Sequence, residues 1–497
     1  MCGIIAYLGA GSAAPIVYSG LTFLQHRGQD SAGIATMSQS HLLIEKGRGL
    51  ARDVFSDAKI NTLEGSAGIG HVRYSTSGSA LALSEMQPFY VNQPYGITLA
   101  HNGNLINQSA LREYLSQQAR HINTISDSEA LLNVLAQAVY ERVRAGETSP
   151  DALLDAVGDV HTRCAGAYAV VALIAGVGLL LFRDPLGIRP LSLGVRNNNE
   201  WLAASESAAF RPLGFEYYGD IAPGEAVLID TKRQIHRRAH CTTASPRPCI
   251  FEYIYFARPD SVLDGALVYD SRVNMGRYLA EKIRHQHPDL VIDCVIPVPD
   301  SGRVAALEVS RHLQVPYREG LVKNHHIGRT FIAAGHAKRR RSVSEKLNII
   351  APEFAGKRVL LVDDSIVRGT TGSELVSLAR AAGAKQVFFA SAAPPVRYPN
   401  VFGIDIATRG ELLAHGRTER EIAAHLGADC VIYQNMDDLK KAISEAGSSV
   451  PTAFETSCFD GDYPFENINN DYLVALESRR GANRDSVSQL DLPLTTV

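Results

Sequence analysis

A cysteine, Cys2, directly follows Met1. So small a side chain at the second position permits removal of the methionine, which leaves Cys2 with a free α-amino group. Such an amine has a pKa of ~7.7–8.0, so much of it is neutral near neutrality and can take the proton of its own thiol. A second stretch with chemistry in it is 359–371, VLLVDDSIVRGTT. An apolar strand ends there in two adjacent carboxylates, Asp363 and Asp364. The loop beyond offers Ser365, Gly369, Thr370 and Thr371 before a helix begins. Hydroxyls and backbone N–H groups at a helix N-terminus bind anions, so this loop suits a phosphate. The two carboxylates would repel that phosphate and are better used on sugar hydroxyls or near a divalent cation. The G-x-x-x-x-G-K-[ST] pattern is absent, which excludes a Walker loop.

Two further segments carry charge. Pro299-Asp-Ser-Gly302 follows an earlier apolar run, and 323–332 (KNHHIGRTFI) is basic with a glycine inside it. Lys338-Arg-Arg-Arg341 reads as a solvated face that could also hold the phosphates of a sugar-phosphate substrate or of a nucleotide effector. A zinc site from His285, His287, His325 and His326 lacks helical or Cys-paired ligand spacing.

These groups need elements to hold them, and the chain divides into two compositional halves. Residues 2–235 show short strand-like runs with Gly-rich turns and one strong helix. That helix is announced by an S-x-x-E capping box, Ser126 to Glu129, ahead of ALLNVLAQAVYERV. The uncharged run 164–182 is about the minimum length for a membrane helix. Gly176-Val-Gly178 divides it into two runs of strand length, so it reads as two buried strands joined by a turn. The turn-rich stretch 240–248 reads as a linker. In 250–470 strands alternate with helices: strand 290–298, a helix to Leu313, strand 359–362, a helix through Arg380 and strand 386–390. That order predicts a parallel sheet with sites at the C-terminal ends of its strands. Residues 471–497 are polar and aperiodic and read as a tail.

Composition narrows the function. Lys and Arg number 49 against 52 Asp and Glu, and a formal charge of -3 excludes a nucleic-acid binder working by bulk positive charge. An apolar fraction of 45% excludes disorder as the main state. Seven scattered cysteines make no disulfide framework and suit a reducing cytoplasm. The uncharged opening 1–26 has no basic start and is broken by glycines and Pro15, so it does not read as a signal peptide.

Five short segments occur in order: Met1-Cys-Gly-Ile-Ile5, 24–34 (LQHRGQDSAGI), 71–76 (HVRYST), 100–104 (AHNGN) and 126–129 (SDSE). Together they are similar to the N-terminal-nucleophile glutaminase domain of the amidotransferases. The resemblance implies an αββα sandwich in which Cys2 attacks the side-chain amide of glutamine. Asn102 and the N–H of Gly103 would form the oxyanion hole, each such donor being worth ~10²–10³ in rate. Arg73 would grip the substrate α-carboxylate and Asp127 its α-ammonium, and Arg27, grouped with them, would order the Cys2 terminus. Tyr74-Ser-Thr-Ser-Gly78 stands where relatives often carry Pro and Ala.

The segment 359–371 resembles the phosphoribosylpyrophosphate (PRPP) signature of type I phosphoribosyltransferases. There Asp363 and Asp364 would face the ribose, and Ser365, Arg368, Gly369, Thr370 and Thr371 the 5-phosphate. Asp300, Ser301 and Gly302 resemble the family's pyrophosphate loop, and Lys323 and Arg329 belong to a segment resembling a mobile loop that closes over PRPP. One Mg2+ per subunit is implied near Ser301, Asp363 and Asp364. His325 and His326 replace a frequent Arg-Tyr pair and receive no role.

A glutaminase followed by a PRPP domain resembles the amidophosphoribosyltransferases, from Cys2 to about Tyr463 and including 183–190 and 251–261. The resemblance implies that PRPP, glutamine and water yield 5-phosphoribosylamine, glutamate and pyrophosphate, with ammonia passing between sites. It also implies feedback by purine nucleotides and a homotetramer. Cysteine at position 2 predicts no propeptide. An iron–sulfur cluster needs four thiolates. Cys249 and Cys458 supply two and Asn400 stands where another is expected, so none is predicted. A different amidotransferase would lack the PRPP signature, and a non-catalytic PRPP sensor would tolerate loss of Cys2, Arg73 or Asn102, all of which are present.

Overall fold

A computed structural model of the chain describes residues 1–74, 83–240, 245–324, 347–404 and 408–478. Its first half is built on two antiparallel sheets. One runs in the order Glu216–Asp220, Ser192–Arg196, Glu200–Ala204, Gly3–Leu8, Ala67–Arg73, Ser31–Ser38, His41–Arg48. The other runs Ile235–Ala239, Glu225–Asp230, Gly178–Arg183, Gly166–Ile174, Ile97–Leu105, Phe89–Val91.

Strand side chains alternate between faces, and here both faces of each sheet are covered. Ile4, Ala6, Val171 and Leu181 pack between the sheets. Ile5, Tyr7 and Val72, on the opposite face, meet Val17 and Leu21 of the helix Ala13–Phe23. Val170, Leu180 and Phe182 meet Leu131, Leu135 and Val157 of the helices Asp127–Arg144 and Pro150–Arg163. The result is the expected αββα sandwich. It explains the uncharged run at 164–182: both strands are buried on both faces, joined by a turn in which Gly176 takes φ +75°. No helix among the described residues is long and apolar enough to cross a membrane.

The second half carries the expected parallel sheet, in the order Cys294–Pro297, Arg358–Asp363, Gln386–Ser391, Cys430–Tyr433. Parallel neighbours require crossovers, and the helices Arg303–Leu313 and Thr370–Ala381 supply the first two. The strand expected over 290–298 pairs only from Cys294, because the chain first turns after the helix Val268–Gln286, where Leu290 N–H donates to the carbonyl of His287.

The halves share a core. Ile106, Ala167 and Ile188 of the first pack in one cluster with Cys249, Ile250, Val401 and Phe402 of the second. The stretch expected as a partly ordered tail is ordered at its start: 470–478 are helical, Leu473 joins that core, and Glu477 pairs with Arg409 at 3.1 Å. The polar run beyond Ser478 hid the apolar spacing of Tyr472, Leu473 and Leu476, which turn one side of this helix to the core.

Candidate active sites

Cys2 stands at the start of the strand Gly3–Leu8. Its backbone N–H donates to Asn102 Oδ1 at 3.2 Å and its Sγ donates to the carbonyl of Tyr74 at 3.7 Å. Asn102 lies in the neighbouring sheet, on Ile97–Leu105, and is buried. Its Nδ2 has no hydrogen-bond partner among the described residues. A buried donor without an acceptor costs about 1–3 kcal/mol, so this amide is set for a ligand oxygen rather than for folding. Gly103 follows with φ +153°, and a Cβ there would fall 1.9 Å from the carbonyl oxygen of Ala167. Only glycine allows this backbone to pass so close to Ala167.

One cavity is lined by Cys2, Arg73, Tyr74, Gly103 and Asp127. Arg73 ends the strand Ala67–Arg73, and its Nη2 meets Glu85 Oε2 at 3.0 Å. Asp127 opens the helix Asp127–Arg144 and accepts from Leu105 N–H at 3.1 Å. Burial lowers the pKa of His101, and burial with the Arg73 guanidinium lowers that of His71 further, so both rings stay neutral. A guanidinium and a carboxylate on one small cavity complement the zwitterionic end of an α-amino acid.

Two expectations change in detail. The capping box is only half made. Ser126 Oγ accepts from Ser128 N–H at 3.3 Å, but the Glu129 carboxylate takes the N–H groups of Asn123 and Thr124 at 2.9 and 2.7 Å. The N–H of Ser126 is already bonded to Thr124 Oγ1 at 3.1 Å, which leaves Glu129 to the turn before the helix. Arg27 lies behind Cys2, wholly buried, with Nε donating to the Cys2 carbonyl at 3.1 Å. Its other nitrogens meet Glu206 and, at 2.7 Å, Glu252 Oε1 of the second half. Burial pushes the Glu206 carboxyl up, but Arg27 and His26 outweigh it and hold it well below the usual carboxylate range.

The second site lies at the C-terminal ends of the parallel strands. Asp363 closes the strand Arg358–Asp363, and Asp364 N–H donates to Asp363 Oδ1 at 2.9 Å. Asp364 accepts from Ser301 Oγ and, at 2.7 Å, from Ser365 Oγ. Burial holds both carboxyls above the usual range, and for Asp363 the neighbouring Asp364 adds to it. Arg272, which sequence reasoning missed, is buried nearby with its positive charge felt at Asp364 while it donates to the carbonyls of Tyr253 and Ala257 at 2.9 and 2.7 Å. Gly302 is pressed against strand ends: a Cβ there would be 2.5 Å from the Val362 oxygen. Gly369 caps the helix Thr370–Ala381 at φ +76°, against Leu413. Thr370 and Thr371 form that helix's first turn, and Arg368 lies before it, 3.9 Å from Glu411. Lys323 Nζ pairs with Asp300 Oδ2 at 2.5 Å. Arg329, His325, His326 and 338–341 lie outside the described residues.

Cys249 and Cys458 are buried, and burial pushes the Cys249 thiol up to about 12. The Asn400 amide is spent on Phe402 N–H at 2.8 Å and Glu455 at 3.4 Å. Two protonated thiols and an engaged amide are not a four-thiolate donor set.

The first site abuts the second half of the chain directly. Asn104 Nδ2 donates to the Val401 carbonyl at 2.8 Å, and Gly403 rests on the backbone of Gly103. Sequence reasoning also missed Glu85, Gln87, Glu206 and Glu252. Nothing in their spacing marks them, since each works on a partner from another element; burial of a polar or charged side chain is the only sign, and it needs coordinates.

The chain is similar throughout to curated proteins of one name. A family model described as a glutamine amidotransferase domain matches residues 71–212, and one described as a phosphoribosyl transferase domain matches 271–396. Amidophosphoribosyltransferase of Pseudomonas aeruginosa is 49% identical, covering 98% of each chain. That of Escherichia coli is 48% identical over 98% of this chain and 97% of its own. That of Saccharomyces cerevisiae is 46% identical over 99% and 97%. Among solved structures, glutamine PRPP amidotransferase from B. subtilis, complexed with ADP and GMP, superposes with a TM-score of 0.83 at 35% identity, covering 94% of this chain and 98% of that one.

Proposed function

Because the chain belongs to the amidophosphoribosyltransferases, enzymes of purine biosynthesis, we propose that its two sites act in series, with glutamine opened at Cys2 and its nitrogen delivered to PRPP at Asp363 and Asp364. The observation that carries the reading is the buried Nδ2 of Asn102 beside Cys2, which has no partner among the described residues. With Met1 removed, the Cys2 nitrogen becomes an amine. Its hydrogen bond to Asn102 Oδ1 orients it, and its lone pair takes the thiol proton. The thiolate attacks the γ-carboxamide carbon. The oxyanion that forms is met by Asn102 Nδ2 and Gly103 N–H, donors fixed before the reaction begins. Arg73 and Asp127 hold the substrate's α-carboxylate and α-ammonium. The Cys2 ammonium returns the thiol's proton to the leaving nitrogen, which departs as ammonia, and water cleaves the glutamyl thioester to glutamate and the free thiol.

At the second site ammonia bonds to C1 of PRPP as pyrophosphate departs, giving 5-phosphoribosylamine. Asp363 and Asp364 bind the ribose hydroxyls. Ser365, Gly369, Thr370 and Thr371 receive the 5-phosphate, with Arg368 beside them, and Asp300, Ser301 and Gly302 receive the pyrophosphate, with Lys323 beside them. Among the described residues no cluster of three or more His, Cys, Asp or Glu could cage a metal ion. Two carboxylates with a serine hydroxyl do suit Mg2+, which keeps waters and substrate phosphates as its remaining ligands. Asp363, Asp364 and Ser301 would hold it, and it would neutralise charge on the departing pyrophosphate. Ammonia in bulk water is mostly protonated and loses its lone pair, so the nitrogen must travel shielded.

The same reading assigns residues 2–235 to the glutaminase, 250–470 to the phosphoribosyltransferase and 471–497 to a C-terminal segment. It extends to feedback by purine nucleotides, supported by the nucleotides in the B. subtilis relative. It extends also to a homotetramer and a cytoplasmic location. The test is glutamate release measured with and without PRPP and Mg2+. Release that rises with both present, matched by pyrophosphate, is expected; PRPP binding without glutamine turnover would make the chain a sensor instead.

A further inference from the structure

Glutamine is rigid in one respect that matters here: its α-carboxylate and its γ-amide are a fixed number of bonds apart. A site that uses both must hold the carboxylate grip and the oxyanion donors at a set spacing. In this chain the two stand on different sheets. Arg73 ends a strand of the seven-stranded sheet, and Asn102 and Gly103 belong to the six-stranded one. One short segment touches both. Glu85, buried, contacts Arg73 Nη2 at 3.0 Å. Two residues on, the buried Gln87 side chain pairs with the backbone of His101, accepting from its N–H at 2.6 Å and donating to its carbonyl at 3.2 Å. Gln87 thus does with its side chain what a neighbouring strand does with its backbone, one residue before Asn102. The segment is itself clamped. Lys46 Nζ donates to the carbonyls of Met86 and Pro88 at 2.7 and 3.2 Å. The Gln87 carbonyl fits only because residue 33 is glycine, where a Cβ would fall 2.0 Å from it.

From this geometry, and resting on the roles assigned above to Arg73 and Asn102, we propose that Glu85 and Gln87 are positioning residues for glutamine hydrolysis: a strap that sets the distance between the α-carboxylate grip and the oxyanion hole. Glu85 fixes the plane of the guanidinium and therefore acts only through the substrate's α-carboxylate. Gln87 fixes the strand that presents the oxyanion donors and therefore acts on the chemical step. Misplacement of such groups by ~1 Å is enough to cost up to about a hundredfold.

The test separates binding from turnover with two substrates, glutamine and its α-carboxamide, in which the α-carboxylate is neutral. Glu85→Gln is expected to raise KM for glutamine roughly tenfold with kcat within about twofold, and to leave kcat/KM for the α-carboxamide as in the parent enzyme. Gln87→Met is expected to lower kcat about tenfold on both substrates with KM little changed. Ammonia-dependent synthesis at the parent rate reports that each variant is folded, and Glu85→Asp and Gln87→Glu stand in if either is not. Equal losses on both substrates for Glu85→Gln, or no loss for either variant, would overturn the strap. Arg73→Lys is measured alongside. If it raises KM for glutamine while Glu85→Gln does not, the strap fails and the grip stands; if Arg73→Lys itself leaves KM unchanged, the grip reading fails and takes the strap with it.

Discussion

Cys2 and Asn102 come from opposite ends of the sandwich's construction, one from each sheet, yet they form a single reacting pair. Asn102 uses its oxygen to orient the Cys2 nitrogen and keeps its buried Nδ2 for the substrate. The two ends of one amide therefore do separate tasks. Asn102→Ala should lower glutamine-dependent kcat by ~10²–10³ with ammonia-dependent synthesis retained, as steady-state rates with each nitrogen donor will show. Cys2→Ala should abolish glutamine use altogether while sparing synthesis from ammonia. Loss of both activities would contradict two separate sites. Cys2 was legible because its chemistry depends on its place in the chain. Arg27 was legible only in part: its pattern pointed to the Cys2 terminus, but its two carboxylate partners lie about 180 and 225 residues away.

Elements decide what the residues can do by fixing where the chain turns. Gly369 holds φ +76° at the cap of the helix Thr370–Ala381, where a Cβ would fall 2.6 Å from Leu413. A left-handed residue with a blocked Cβ strains the whole phosphate loop. Gly369→Ala should therefore raise KM for PRPP sharply and leave basal glutaminase activity, measured without PRPP, near the parent value. A second element shows a pH signature. His161, near the end of the helix Pro150–Arg163, bonds Tyr168 OH at 2.9 Å and stacks on its ring at 5.8 Å. Burial, then the neighbouring His240, lowers its pKa to about 3. The unfolded chain, with His161 near its ordinary ~6.5, takes up that proton first. Stability contributed by the neutral ring is thus complete above about pH 6.5 and is lost as pH falls from there towards 3. Thermal midpoints between pH 7 and 4 should decline less steeply in His161→Phe than in the parent; an unchanged slope would assign the decline to other groups.

The whole molecule is held across its halves by buried charge. Arg183 of the first half makes a bidentate pair with Asp264 of the second at 2.6 and 2.8 Å, and is itself almost wholly buried. Its remaining N–H groups bond the carbonyls of Arg189, Gly187 and Ile221. Removing Asp264 takes away the bidentate partner and leaves the buried guanidinium only the fields of Asp220 and Asp184, and breaking such a pair costs up to roughly 3–5 kcal/mol. Asp264→Asn should lower the thermal midpoint and weaken the stimulation of glutaminase by PRPP, read as the ratio of glutamate release with and without PRPP. Arg183→Leu combined with Asp264→Leu should recover part of the stability and none of the stimulation.

Much of this could be read along the chain because it is local. A thiol beside its own amine, an apolar strand running into paired acids and a Gly/Thr turn, and each strand or helix of the alternation after residue 250 are set by neighbours close in sequence. The two uncharged strands at 164–182 were legible for the same reason, since a glycine turn between β-rich runs leaves few other solutions. What the linear order could not convey is company. Glu85 beside Arg73, Gln87 on His101, Glu252 against Arg27 and Asp264 on Arg183 each join elements that meet only when sheets stack or halves dock. Even the Ser126–Glu129 motif named a helix start rightly while the preceding turn redirected its carboxylate. Local backbone chemistry repeats wherever its residues occur, whereas a buried ion pair exists only where packing has already removed the water around both charges.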